Sequence, residues 1–229
     1  RIVSILLVLM MLLTMVPITG VTANAADGFV EVSTYEQLKT AVDKGDAKVK
    51  LMANIDTTNE NGGAGVTQQA ALTFIGDGNI LDLNGYTLKL VSNTGATFFE
   101  VLKSLTIKDS GTDGRIDFKY GPNVMHRTTA IHVADASTAN LTVESGTLSS
   151  TESSITLIES EGNLTINGGK FYAPYEVGVG GTYAIHTIHQ YNDNAKTIIN
   201  DGEFDGVVLI QRDDSAATGT PNYGDIPVQ

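Results

Sequence analysis

The 229-residue chain contains no cysteine. Nothing in it relies on disulfides, and thiolate chemistry and cysteine-ligated metal sites are excluded. Basic residues are scarce, 14 Lys and Arg against 26 Asp and Glu, for a net charge of -12 at pH 7. An acidic surface repels phosphate backbones, so nucleic acid is not an expected partner. A long apolar run is missing as well. The run from Ile2 to Val16 behind Arg1 is short for a bilayer span, and Pro17 and the small-residue ending Ala23-Asn24-Ala25 follow it. That pattern is a secretory signal peptide over residues 1–25. The expectation is a protein secreted or held at the cell surface, with no stable membrane insertion after signal cleavage.

What the chain does contain is one short phrase written several times: "NLTVESGTL" at 140–148, "NLTINGGKF" at 163–171 and "TIINDGEF" at 197–204. Alignment on the last apolar residue pairs Leu83 with Leu88, Val143 with Leu148, Ile166 with Phe171 and Ile199 with Phe204. Ile107 and Ile116 form a further pair if "SGTD" (110–113) is an insertion. Two positions before each first member stand Leu81, Leu105, Leu141, Leu164 and Thr197, the period of a strand with one buried face. Asn84-Gly85, Ser145-Gly146, Asn167-Gly168-Gly169 and Asn200-Asp201-Gly202 then make tight corners. Another strand precedes each phrase, "FFEVL" (98–102), "AIHVA" (130–134), "ITLIE" (155–159) and "AIHTI" (184–188). Three strands per repeat predict an all-β chain, a parallel β-helix. A sandwich of hairpins would not return the same inward positions once per coil.

The segment "STYEQLKTAVDKG" (33–45) reads as one amphipathic helix. Ser33 and Glu36 have the spacing of a capping box, Tyr35, Leu38, Ala41 and Val42 share a face, and Gly45 follows the end. A helix here would cover the open apolar end of a first coil. The expected organisation is an N-terminal strand and capping α-helix over residues 26–48 and a parallel β-helix over 49–229. The ending "GTPNYGDIPVQ" carries no recognisable closing cap, so truncation of a longer β-helix is expected.

The order of helix, "VKLMANID" (49–56), "ILDLNGYTLKL" (80–90) and LTI-turn-G-x-F repeats resembles the right-handed parallel β-helices of the pectate-lyase-like superfamily. It is most similar to the pectate-lyase-like adhesive domains of large surface proteins of Gram-positive bacteria. The resemblance spans nearly all of residues 27–211, and its motifs specify fold better than activity. It implies that the Asn-bearing turn separates the second and third strands of each coil. The strands "FFEVL" and "AIHVA" then belong to the first sheet, whose outer face carries the active site in the family's enzymes.

If Phe99, Ile131, Ile155 and Ile185 point inward, Glu100, His132, Thr156 and His186 form an outward column. Two long connections, residues 118–129 and 172–183, leave on the same side and would bring Tyr120, His126, Arg127 and Tyr175 beside it. Imidazoles, hydroxyls and aromatic faces along one strip suit a polysaccharide or surface glycan. For catalysis the column is thin. The resemblance implies that a lyase would need a cluster of acidic calcium ligands and a basic proton acceptor. A glycosidase needs two carboxylates, about 5–5.5 Å or 6.5–9.5 Å apart, and the column offers Glu100 alone. No catalytic residue or metal ligand is assigned and no cofactor is expected, calcium being the one left open. The expected function is a non-catalytic adhesin or glycan-binding module. The alternatives are a polysaccharide lyase or glycoside hydrolase with catalytic coils partly beyond the chain end, and a purely structural stalk.

Overall fold

A computed structural model describes residues 23–24, 28–45, 47–121, 128–136, 138–150, 155–173, 183–188 and 195–211. Apart from Ala23–Asn24, residues 1–25, expected to be a signal peptide, lie outside these residues, as do His126, Arg127, Tyr175 and everything after Gln211. The chain opens with β1 (Ala23–Asn24), β2 (Phe29–Val32) and α1 (Tyr35–Val42). It continues through β3 (Lys48–Leu51), β4 (Ile55–Asp56), β5 (Leu72–Phe74), β6 (Asn79–Asp82), β7 (Thr87–Ser92) and β8 (Phe99–Val101). Next come β9 (Ser104–Lys108), β10 (Arg115–Tyr120), β11 (Thr128–Val133), β12 (Asn140–Val143), β13 (Thr147–Ser150) and β14 (Ile155–Ser160). The last are β15 (Asn163–Ile166), β16 (Lys170–Tyr172), β17 (Tyr183–Ile188), β18 (Thr197–Ile199), β19 (Glu203–Asp205) and β20 (Val208–Gln211).

From β3 onward, successive strands visit three sheets in rotation. The first sheet runs β1-β2-β3-β6-β9-β12-β15-β18, the second β4-β7-β10-β13-β16-β19 and the third β5-β8-β11-β14-β17-β20. β1 is antiparallel to β2, whereas the other pairings between these strands are parallel. This predominantly β arrangement of stacked parallel sheets is compatible with a parallel β-helix.

Alternation within each strand sends every second side chain into the space between the sheets. In the second sheet Ile55, Leu88, Ile116, Leu148, Phe171 and Phe204 lie in one register row, the first five buried and Phe204 partly so. In the first sheet the row is Val49, Leu81, Ile107, Val143, Ile166 and Ile199. In this sheet the register differs from the sequence pattern at one strand, β6. The pattern places Leu83 beside Ile107, but the register sets Leu81 opposite Ile107 and Asn79 opposite Leu105. The corner after β6, residues 83–86, is one residue longer than the corners after β12, β15 and β18. Leu83 leaves the strand and folds inward there, fully buried, so close to Gly146 that a Cβ at that glycine would meet Leu83 Cδ1 at 2.9 Å.

The helix forms where its sequence pattern predicts, with Tyr35, Leu38, Ala41 and Val42 buried, and it packs against β2, β3 and β5. Its cap lies one residue later than the spacing of Ser33 and Glu36 suggests. Thr34 is the extended N-cap and its Oγ1 accepts from Gln37 N at 3.3 Å, while Gln37 Oε1 accepts from Ser33 N at 2.8 Å. Both pairs have hydroxyl and carbonyl or carboxylate groups three apart. The extended backbone at Thr34 decides between them.

Candidate functional site

The third sheet turns Phe99, Ile131, Ile158 and Ile185 inward in one register row. Glu100 and His132 are half-buried between buried neighbours on β8 and β11, and they are direct cross-strand partners. His132 Nδ1 lies 2.8 Å from Glu100 Oε2, with the two side chains 28% and 23% exposed. On the far side of His132 the cross-strand partner is Glu159, and the partner of Glu159 on β17 is His186. The column is therefore Glu100, His132, Glu159 and His186.

Thr156 does not belong to it. The sequence alignment matched Ile155 with Ile131, whereas the register matches Ile158 with Ile131, and Thr156 faces Thr129 and Tyr183. A slip of three residues is odd, and an odd slip exchanges the two faces of a strand. Thr156 is thereby buried, at 2% exposure, and Glu159 takes the outward place. The apolar stretch Ile155 to Ile158 supports either match by hydrophobicity alone.

Tyr120 is corrected as well. β10 extends through Tyr120, which follows Ile116 and Phe118 on the inward face and is 5% exposed. Its ring centroid is 4.9 Å from that of Phe98, and its hydroxyl sits 2.9 Å from the Ala96 carbonyl oxygen and 3.1 Å from that of Thr129. Burial pushes the phenol well above its ordinary pKa. Tyr120 is a core residue rather than part of a loop. For His186 the backbone register alone is described, and His126, Arg127 and Tyr175 lie outside the described residues.

Thr129, Glu159 and Glu161 are not among the residues that the sequence pattern singles out. Thr129 Oγ1 donates to Glu159 Oε2 at 2.8 Å. Glu161, two positions beyond Glu159, follows the end of β14, and its backbone N–H donates to the Val133 carbonyl at 2.9 Å. One ligating atom each from His132, Glu159 and Glu161 lies within 4.8 Å of the others, and all three residues are half-buried. The signal in the sequence was "ESE" at 159–161, two carboxylates at the period of one strand face.

Electrostatics follow from this crowding. The hydrogen bond to Glu100 is the main reason His132 is held above its ordinary pKa. Burial opposes it, and the charges of Glu100, Glu161 and Glu159 assist. Glu161 is also pushed up, first by burial, with Asp135 and Glu159 adding repulsion and His132 opposing. The arrangement can hold a cation, a proton on His132 being the simplest, and can present several acceptors to a polyhydroxylated ligand. Elsewhere, a groove of about 330 Å³ over the second sheet is lined by Arg115, Ser149, Tyr172 and Asp205 among others.

No protein-family model, curated protein or solved structure matches the chain. No helix among the described residues is long and apolar enough to cross a membrane.

Proposed function

We propose that this chain is a right-handed parallel β-helix of the pectate-lyase-like kind, closest to the adhesive domains of bacterial surface proteins, with α1 covering its first coil. It is secreted or displayed at the cell surface and binds a polysaccharide or surface glycan without transforming it. The observation that carries this reading is the row Glu100, His132 and Glu159, set in register on the third sheet at strand intervals. Strands in a sheet repeat at about 4.8 Å, so the row offers hydrogen-bonding groups at close, regular spacing to the hydroxyls of an extended chain of sugars.

A second reading, glycoside hydrolysis, has one observation in its favour. Glu159 and Glu161 approach within 4.8 Å, and Glu161 is held above its ordinary pKa, as a general acid beside a second carboxylate would be.

A glycan array probed with the purified chain, followed by product analysis on each bound polymer and on uronic-acid polymers with and without calcium, separates the two. Binding without products is the expected result, with loss of binding in a His132→Ala/Glu159→Gln variant that remains folded. Reducing ends or unsaturated products that vanish in Glu161→Gln would establish the enzyme instead. Absence of any glycan binding would sink the leading reading.

A further inference from the structure

We propose that His132, Glu159 and Glu161 form a binding site for a divalent transition-metal ion of the zinc class. The site stands on its own chemistry, whether or not a glycan occupies the same face.

Three observations carry it. The first is convergence: one donor atom from each residue lies within 4.8 Å of the other two. A metal with bonds of about 2.1 Å draws its donors to within about 4.2 Å of one another. Small rotations of the two glutamate side chains close that difference, because Glu161 follows the end of β14 and neither glutamate is fully buried.

The second is support from outside the three residues. Glu100 Oε2 lies 2.8 Å from His132 Nδ1, and Thr129 Oγ1 donates to Glu159 Oε2 at 2.8 Å. A carboxylate that accepts the Nδ1 proton leaves Nε2 with the lone pair that binds metals and makes it more basic. This carboxylate–histidine pairing is the usual outer shell of a histidine ligand. Both outer partners come from the same parallel sheet, Glu100 from β8 and Thr129 from β11, so the strand register that builds the fold also orients the donors.

The third is charge. Glu100, Glu159 and Glu161 lie around a single imidazole, Asp135 adds its charge near Glu161, and among the described residues neither Glu159 nor Glu161 has a Lys or Arg partner within ion-pair distance. A divalent ion relieves that excess where one proton cannot. The imidazole decides the class of ion. Calcium and magnesium take oxygen ligands, whereas one nitrogen with two carboxylates suits zinc and its neighbours.

The test uses the full chain, stripped with chelator and titrated with Zn2+ alone by calorimetry, with no glycan present. One ion per chain should bind, with the melting temperature rising as metal is added and a tenfold excess of Ca2+ failing to displace it. X-ray absorption at the zinc edge should show one nitrogen among oxygen ligands. His132→Ala and Glu161→Gln should each weaken binding at least tenfold, and Glu161→Gln, at the end of its strand, serves if His132→Ala fails to fold. Glu100→Ala, a change to a positioning residue, should weaken binding about 10–100-fold while the absorption spectrum keeps its nitrogen. Zinc binding as tight in a folded His132→Ala chain, displacement by equimolar Ca2+, or no saturable binding to the intact chain would each overturn the proposal.

Discussion

Phe171 and Phe204 stack face to face, with ring centroids 4.8 Å apart and 11° between their planes. The separation matches the spacing of adjacent strands, and the two residues are cross-strand partners on β16 and β19. Each ring therefore covers the apolar face of the ring on the adjacent strand. Phe171 is 1% exposed, whereas Phe204 is only partly buried. Phe171→Ala should lower unfolding free energy by about 3–5 kcal/mol, and Phe204→Ala should cost less because its second face is less enclosed. Urea denaturation of the two variants checks the order, and an equal or reversed cost would contradict the stack.

Tyr120 supplies a prediction in which stability and binding part company. Its buried hydroxyl serves the carbonyl oxygens of Ala96 and Thr129. Tyr120→Phe keeps the ring but leaves buried acceptors without their donor, at a cost of about 1–3 kcal/mol. Glycan binding by the remaining folded protein should not change. A loss of binding without loss of stability would return Tyr120 to the surface site.

Asp82 sets an acid limit on stability. It is 2% exposed, accepts from the backbone N–H of Ser110 at 2.9 Å and of Asn84 at 3.0 Å, and lies 3.4 Å from Lys108 Nζ. Burial works against its charge, but these bonds, a further one from the Ser110 side chain and the Lys108 charge outweigh it, so the carboxyl titrates below its ordinary value. A folded-state pKa below the unfolded one stabilises the fold above about pH 4 and ceases to do so as pH falls through the folded value. Asp82→Asn should cost on the order of 2 kcal/mol at pH 7 and flatten the decline of the urea midpoint between pH 4 and lower pH. An unchanged acid limb in the variant would refute this role.

Two glycines should respond oppositely to alanine. Gly65 has a φ of +71° and bridges Ser92, and a Cβ there would run into the Val91 carbonyl. Gly65→Ala should destabilise by about 1–3 kcal/mol. Gly78 lies outside the left-handed region with nothing within 4 Å of an added Cβ, so Gly78→Ala should gain about 0.4–1 kcal/mol through the unfolded chain. Melting temperatures shifted in the same direction would refute the contrast.

The sequence by itself determined the repeated strands and much of the interior between their sheets. Leu88, Ile116, Leu148, Phe171 and Phe204 were legible as one inward row because each stands two or three residues after the glycine of a tight corner, where few other residues fit. The apolar face of α1 was legible for a similar reason, since its period coincides with the turn of a helix. Only the tertiary structure decided between registers of equal hydrophobicity. Leu81 and Leu83 are both buried, yet the pairing of β6 with β9 gives Leu81 the strand position and leaves Leu83 in the corner. In "ITLIESEG" the apolar stretch matches β11 at Ile155 or at Ile158, and only pairing across the sheet places Ile158 opposite Ile131. That choice moved Thr156 inside and brought Glu159 beside His132, because side chains alternate between faces and a strand has no third direction in which to place them.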